Sequence, residues 1–305
     1  MEANPQTRRP NFFIVGAPKC GTTSMYEYLR QHPQVFMPER KEPHFLAPEL
    51  EGKWPWGVRD EADYLALFKD AGDATRIGEA SVWYLYSPEA ARHIREFSPD
   101  ALIIAMLRNP VDMLYSLHWQ YVRDGEEDIR DFGVALAAEN DRRSGRRIPR
   151  AARFVRGLFY SVIPCYTEQL RRYFDVFGRE RVHIIVFDDL KADAGGVYRQ
   201  VVDFLGITRD FVPEFVIANP ATTLPRMPFA GFVLSHPRLH AIAQAVLPLA
   251  LRKCVGPVVN KFRRTPSHSP MDPAVRSRLR EHFAPEVEKL SRLLDRDLTH
   301  WSRAD

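Results

Sequence analysis

Residues Gly16–Ala17–Pro18–Lys19–Cys20–Gly21–Thr22–Thr23 bring a lysine, two glycines and two adjacent hydroxyls into one short stretch, and Ser24 adds a third hydroxyl. That set suits an oxyanion. Glycines let the backbone fold back so that its N–H groups converge, and a helix starting at the second glycine turns its positive end toward the ligand. The glycine spacing is that of the phosphate loop G-x-x-x-x-G-K-[ST], whose lysine reaches the outer phosphates of a triphosphate. Here Thr22 stands in the lysine's place, and the lysine lies three residues earlier, at Lys19. The anion-binding chemistry is kept and the triphosphate grip is lost. A second candidate is Arg108, at the end of the apolar run 101–107, with Ser116 eight residues later. A guanidinium fork beside a hydroxyl suits a terminal phosphate.

These residues need particular elements to hold them. Residues 12–15 (FFIV) predict a buried strand feeding the loop, and Met25, Tyr28 and Leu29 recur at helical spacing behind it. Residues 75–80 (TRIGEA), 101–107 (ALIIAML) and 182–187 (VHIIVF) predict further strands, the last two apolar throughout, as in a parallel sheet covered on both faces. Ser87–Pro88–Glu89 and Asn109–Pro110 read as helix starts, Gly206 as a helix stop, and Asp272–Pro273 as the start of a last helix with Val275, Leu279 and Phe283 on its stripe. Alternating strands and helices imply an α/β fold: a P-loop-like three-layer α/β/α domain with a central parallel sheet. We expect a single domain over 1–305, with an α/β core at about 10–210 and a helical, loop-rich C-terminal extension at about 211–305. Residues 123–156 are dense in charge (RDGEED, DRRSGRR) and read as a mobile surface excursion.

The variant loop, followed by the Arg108 and Ser116 pair in LRNPVDMLYSLHWQY, resembles the sulfotransferases that use 3′-phosphoadenosine 5′-phosphosulfate (PAPS). The similarity extends through GEASVWYLYSP, RVHIIVFDDL and the terminal DRDLTHW, and its style is that of bacterial enzymes related to the carbohydrate O- and N-sulfotransferases. The resemblance implies that Lys19, Cys20, Gly21, Thr22, Thr23 and Ser24 hold the 5′-phosphosulfate, and that Arg108 and Ser116 hold the 3′-phosphate. Sulfuryl transfer to an alcohol or amine needs a base for the acceptor proton, donors for the developing charge and an in-line approach. Lys19 is the candidate charge stabiliser. In PERKEPHFL, residues 38–46, Glu42 and His44 are both plausible bases on chemistry alone. The resemblance favours Glu42, because related carbohydrate sulfotransferases place a catalytic glutamate two residues before a His-Phe pair. Lys41 is a candidate for binding donor or acceptor. Glu79 either lines the acceptor site or makes a structural hydrogen bond, and Tyr160 either meets the nucleotide or belongs to the core.

Composition agrees with an enzyme of this kind. The chain has 305 residues, 45% hydrophobic and 27% charged, which excludes a disordered or collagen-like polymer. Its net charge of +4 argues against broad nucleic-acid binding and leaves room for a local anion pocket. Three distant cysteines (Cys20, Cys165, Cys254) and the polar start MEANPQTRRP predict a cytoplasmic protein without a disulfide framework. Cys20 itself is read as a small side chain that fits its loop. No metal is expected: His118, His183, His236 and His240 have no ligand spacing, and a sulfuryl group carries little enough charge for a lysine and backbone N–H groups to suffice. The greasy stretch 241–251 is too short to span a bilayer and contains Pro248. Two rivals stand beside the sulfotransferase: a P-loop kinase or nucleotide hydrolase, and a non-enzymatic nucleotide-binding or membrane-associated adaptor using residues 229–251. The expected acceptor is a carbohydrate, lipid or other small molecule, and nothing in the sequence chooses among them. Trp54, Trp56, Trp83 and Tyr84 read either as an aromatic platform for it or as core residues, and Lys261–Phe262–Arg263–Arg264 either as a basic segment closing over the 3′-phosphate, as the resemblance suggests, or, in preference, as a solvated charge run.

Overall fold

The apolar runs assemble into one parallel sheet in the computed structural model, which describes residues 8–54, 57–216 and 270–303. Strands β1 (Phe12–Gly16), β2 (Val35–Phe36), β3 (Arg76–Ala80), β4 (Leu102–Leu107) and β5 (Val182–Val186) lie in the order β2-β3-β1-β4-β5. Phe12 pairs with Gly78 on one side and Leu102 on the other, and Ile103–Leu107 runs in register with Val182–Val186. Phe12, Phe13, Ile14 and Val15 are all fully buried. Burial of such a side chain is worth about 1.5–3 kcal/mol, so β1 anchors the sheet. β2 was not expected; two residues are too few to leave a period in the sequence.

Helices cover the sheet. α1 (Thr22–Arg30), α2 (Glu61–Ala66), α3 (Ala90–Phe97) and α4 (Pro110–Asp124) come first, then α5 (Phe132–Ala137), α6 (Glu139–Arg143), α7 (Tyr166–Phe177), α8 (Phe187–Ala192), α9 (Ala194–Leu205) and α10 (Pro273–Leu294). The predicted punctuation is in place. Ser87 Oγ accepts from Ala90 N at 2.8 Å, Asn109 Oδ1 from Val111 N at 2.9 Å, and Asp272 Oδ1 from Ala274 N at 2.8 Å. Gly206 ends α9 in the left-handed region at φ 64°. α10 runs unbroken through Pro285 and buries Val275, Leu279, Phe283, Val287 and Leu290.

The charged stretch after α4 is not a mobile excursion. It folds into α5 and α6, and the Glu127 and Arg142 side chains meet at 2.7 Å with no exposed surface. Tyr160, fully buried, donates to the same carboxylate at 3.0 Å, so its hydroxyl belongs to this internal network. Charge density misled because a salt bridge between residues fifteen apart in sequence looks, one residue at a time, like two solvated side chains.

Chain direction decides where a site can form. β1 leads through α1 toward β2 and β3, whereas β4 leads through α4 toward β5. The connections part between the adjacent strands β1 and β4, and open α/β sheets place ligands beyond the carboxyl ends of strands that part in this way. The C-terminal elements brace that point: Arg276 pairs with Asp112 at 2.9 Å, and the Trp301 carbonyl accepts from Asn109 Nδ2 at 3.1 Å. Residues 229–251, the cluster Lys261–Arg264, Trp56, His236, His240 and Cys254 lie outside the described residues. Among the described residues no helix is long and apolar enough to cross a membrane.

Candidate active site

The loop leaves β1 at Gly16 and enters α1 at Gly21, and both glycines are structurally required. Gly16 has φ 144°, and a Cβ there would lie 2.5 Å from the Val82 carbonyl oxygen. Gly21 has φ 87°, and a Cβ there would lie 2.8 Å from Leu190 Cδ2 and 3.1 Å from Phe187 Cδ2. Gly21 is also the N-cap and brings no side chain to cap α1, so the first-turn amides are left to external acceptors. A Gly21→Ala variant should lose about 1–3 kcal/mol of stability through backbone strain and overpacking. Urea denaturation would show this as a lower midpoint at unchanged slope; an unmoved midpoint would contradict the close approach of α8.

Lys19 projects from the middle of this loop with φ 62°. Burial, and then the nearby Arg123 guanidinium, lower its ammonium to about 8, with Arg108 adding to the effect and Asp124 and Glu42 opposing it. Lys19 Nζ makes no hydrogen bond or ion pair among the described residues. Cys20 is fully buried, its Sγ 3.3 Å from the Pro18 carbonyl, and burial pushes the thiol up to about 12. It is therefore a space-filling residue and not a reactive thiol. Thr22 and Ser24 are buried, and Thr23 is half-buried.

Arg108 follows β4 directly. Its Nη1 donates to the Lys19 carbonyl at 3.2 Å, and its guanidinium lies over the Phe187 ring at 4.8 Å. The two motifs, 89 residues apart in the chain, are thus in contact. Asp112, a possible partner for Arg108, is instead paired with Arg276. Ser116 is half-buried on α4, two turns beyond Arg108.

The segment carrying Lys41, Glu42 and His44 crosses the carboxyl end of β3. Glu42 N donates to the Ala80 carbonyl at 3.0 Å, His44 N to Ser81 Oγ at 3.1 Å, and Leu46 N to Tyr84 Oη at 3.0 Å. Glu42 and His44 are held at φ 63° and 50°. Non-glycine residues in this region cost about 1–3 kcal/mol each, and such strain concentrates where geometry serves function. Three of the six described cases fall at Lys19, Glu42 and His44. Lys41 Nζ reaches Glu42 Oε1 at 3.1 Å, Thr23 Oγ1 at 3.2 Å and Thr22 Oγ1 at 3.5 Å. His44 Nε2 stands 3.6 Å from Glu42 Oε2.

Burial alone would raise the Glu42 carboxyl, but Lys41 and His44 outweigh it and hold the group at about 2. Burial keeps the His44 ring below the usual histidine range against the pull of Glu42, so the imidazole is neutral at pH 7. The Glu42 side chain is 36% exposed and that of His44 is 1% exposed, under a Trp54 ring at 4.2 Å.

Glu79 lies beneath this layer, fully buried. Its Oε2 accepts from Tyr64 at 3.0 Å and Tyr84 at 2.7 Å, and burial raises its carboxyl to about 7 despite those bonds. The structural-bond alternative is the one the geometry has; no surface of Glu79 faces an acceptor. Trp83 and Tyr84 are core residues as well, which leaves Trp54 as the half-buried member of the expected platform. Sequence reading missed Arg123 and Asp124 at the end of α4 and Phe187 beneath Arg108. Their signal lies in tertiary neighbourhood, not in any spacing.

The family model described as "Sulfotransferase family" matches residues 10–211. Human carbohydrate sulfotransferase 15 is 32% identical over 163 residues, covering 40% of this chain and 29% of that protein. Human heparan sulfate glucosamine 3-O-sulfotransferase 6 is 29% identical over 233 residues, covering 74% of this chain and 60% of that protein. The chain thus spans less than two thirds of the length of these curated relatives. A solved sulfotransferase from Alicyclobacillus acidocaldarius is 32% identical and superposes with a TM-score of 0.74, covering 97% of this chain and all of that one. With the family model matching most of its length, and with its two anion motifs in contact at the carboxyl end of a parallel sheet, the chain belongs to the sulfotransferase family.

Proposed function

We propose that the chain, as one domain over residues 1–305, moves a sulfuryl group from PAPS to a hydroxyl or amine, with a carbohydrate as the acceptor class its relatives favour. The observation that carries this reading is the Arg108–Lys19 contact, which brings a guanidinium to the edge of an anion loop at the parting of β1 and β4. The donor set fits a nucleotide that is anionic at both ends. The uncapped start of α1, the Thr22 and Thr23 hydroxyls and Lys19 suit the phosphosulfate end, and Arg108 with Ser116 suits the ribose phosphate. PAPS bound there supplies a sulfuryl group already activated on a phosphate leaving group. Lys19 stabilises the negative charge that gathers on the phosphate oxygen as the S–O bond to it breaks. Glu42 accepts the proton of the acceptor O–H or N–H as the new bond to sulfur forms. We give the base to Glu42 and not to His44 because the Glu42 side chain is partly exposed and that of His44 is buried. His44 lies beside Glu42, its Nε2 3.6 Å from Oε2. The kinase rival lacks its lysine at Thr22.

An Arg108→Ala variant should bind 3′-phosphoadenosine 5′-phosphate (PAP) about one to two orders of magnitude more weakly, the worth of a charge-assisted contact. Calorimetry checks this, and equal affinity would overturn the assignment. The activity itself is tested by transfer of radiolabelled sulfate from PAPS across sugars, lipids, phenols and amines, with mass detection of the product. Absence of PAP binding together with thermal stabilisation by magnesium–ATP would favour the kinase reading.

A further inference from the structure

Lys41 physically joins the anion loop to the acid–base pair. Its side chain is 16% exposed, and its ammonium contacts Thr22 Oγ1, Thr23 Oγ1 and Glu42 Oε1. An ammonium has three donors and no acceptor, so every contact runs outward from Lys41. Each threonine oxygen therefore accepts from Lys41, and its own O–H proton is left to donate to another acceptor. The ammonium thus sets both hydroxyls as donors before any anion arrives. The same ammonium holds one oxygen of the carboxylate.

We propose that Lys41 is a positioning residue that makes the base strength of Glu42 depend on donor binding: it holds the carboxylate in check until an anion reaches Thr22 and Thr23 and draws the ammonium away. The inference rests on the sulfotransferase reading and adds a control to its base. In the resting protein the carboxyl sits at about 2, too weakly basic to take a proton from an alcohol with good effect. A phosphosulfate at the loop becomes a competing acceptor for Lys41, so the Glu42 carboxylate recovers proton affinity only when there is something to transfer.

The charged and titratable groups facing Glu42 are Lys41 and His44 on its own segment, Lys19 from the loop after β1, Glu79 from β3 and Tyr121 from α4. Among the described residues, Lys41 alone bonds both to this carboxylate and to loop hydroxyls. An arriving anion also raises the proton affinity of Glu42 directly, through its own charge. The test must therefore separate the part carried by Lys41.

The acid limb of kcat/KM for the donor reports free enzyme, and that of kcat reports the loaded enzyme. In the unaltered protein the kcat limb should lie at least about one pH unit above the other. Lys41→Met should shrink the separation clearly, to the part that the anion's own charge carries, and weaken PAP about tenfold, whereas Lys41→Arg, which keeps the positive charge, should restore most of both. A lysine that merely braces the loop would lower affinity and leave the separation untouched, and that result overturns the proposal. Thr23→Val, which removes one acceptor of the ammonium and keeps its charge, should narrow the separation and serves if Lys41→Met does not fold; an unchanged separation there counts equally against it. Failure of the unaltered protein to bind PAP would instead sink the donor reading, a result distinct from equal limbs in a protein that binds.

Discussion

Exchange of Glu42 for Gln is expected to cut turnover by about 10²–10⁴-fold, the usual contribution of a positioned general base. PAP affinity should hold or improve in the same variant. Gln is nearly isosteric and still offers an oxygen to Lys41 Nζ, so the segment pinned to Ala80 and Ser81 has no reason to move. Loss of the carboxylate charge leaves Lys41 and Lys19 more available to an anion, which favours the nucleotide. The pair of measurements is calorimetry with PAP and single-turnover transfer from PAPS. Undiminished turnover would reject Glu42 as the base. A larger loss in His44→Gln than in Glu42→Gln would hand the role to the imidazole, despite its burial beneath Trp54.

Much of the framework was legible because its signals are local. FFIV, ALIIAML and VHIIVF are apolar throughout, and a strand buried on both faces leaves that mark. Ser87, Asn109, Asp272 and Gly206 announce helix ends because a cap is an interaction between residues two or three apart. The stretch after α4 was misread for the complementary reason. The burial of Glu127 depends on Arg142 and Tyr160, and nothing in the neighbourhood of any one of them shows the others.

The site divides along the same line. Lys19, the loop hydroxyls, Arg108, Glu42 and His44 were picked out by residue type, spacing and resemblance, and the fold gathers them at the carboxyl ends of β1, β3 and β4. What spacing did not carry is their wiring. By residue type Lys41 is one candidate among several; in the fold its ammonium touches two threonines and a carboxylate. Residue type leaves Glu79 open as an acceptor ligand or a structural group, and the structure bonds it to Tyr64 and Tyr84. Side-chain direction at the strained positions Glu42 and His44 is set by backbone conformation that L-residues seldom adopt, and residue type does not forecast it.

Loss of the loop lysine should be nearly as severe as loss of the base. Lys19→Met is expected to lower turnover by about 10²–10³-fold, the cost of removing one donor aimed at charge that develops in the transition state. The same substitution should also change how nucleotide binding depends on pH. With its ammonium at about 8 in the free protein, Lys19 is charged at neutral pH and neutral above pH 9. A bound anion favours the charged form, so the proton is held more tightly in the complex than in the free protein. PAP affinity should therefore be flat between the last phosphate ionisation and about pH 8, then fall by up to about tenfold per pH unit. The fall should vanish in Lys19→Met, which binds more weakly throughout but evenly. Lys19→Arg keeps a charge that does not titrate in this range, so its affinity should stay flat above pH 8 while turnover remains low, because a planar guanidinium does not reproduce the point charge of an ammonium inside so tight a turn. Calorimetric titrations from pH 7 to 10 on the three proteins decide it: an alkaline decline that survives in Lys19→Met belongs to some other group and removes Lys19 from the anion site.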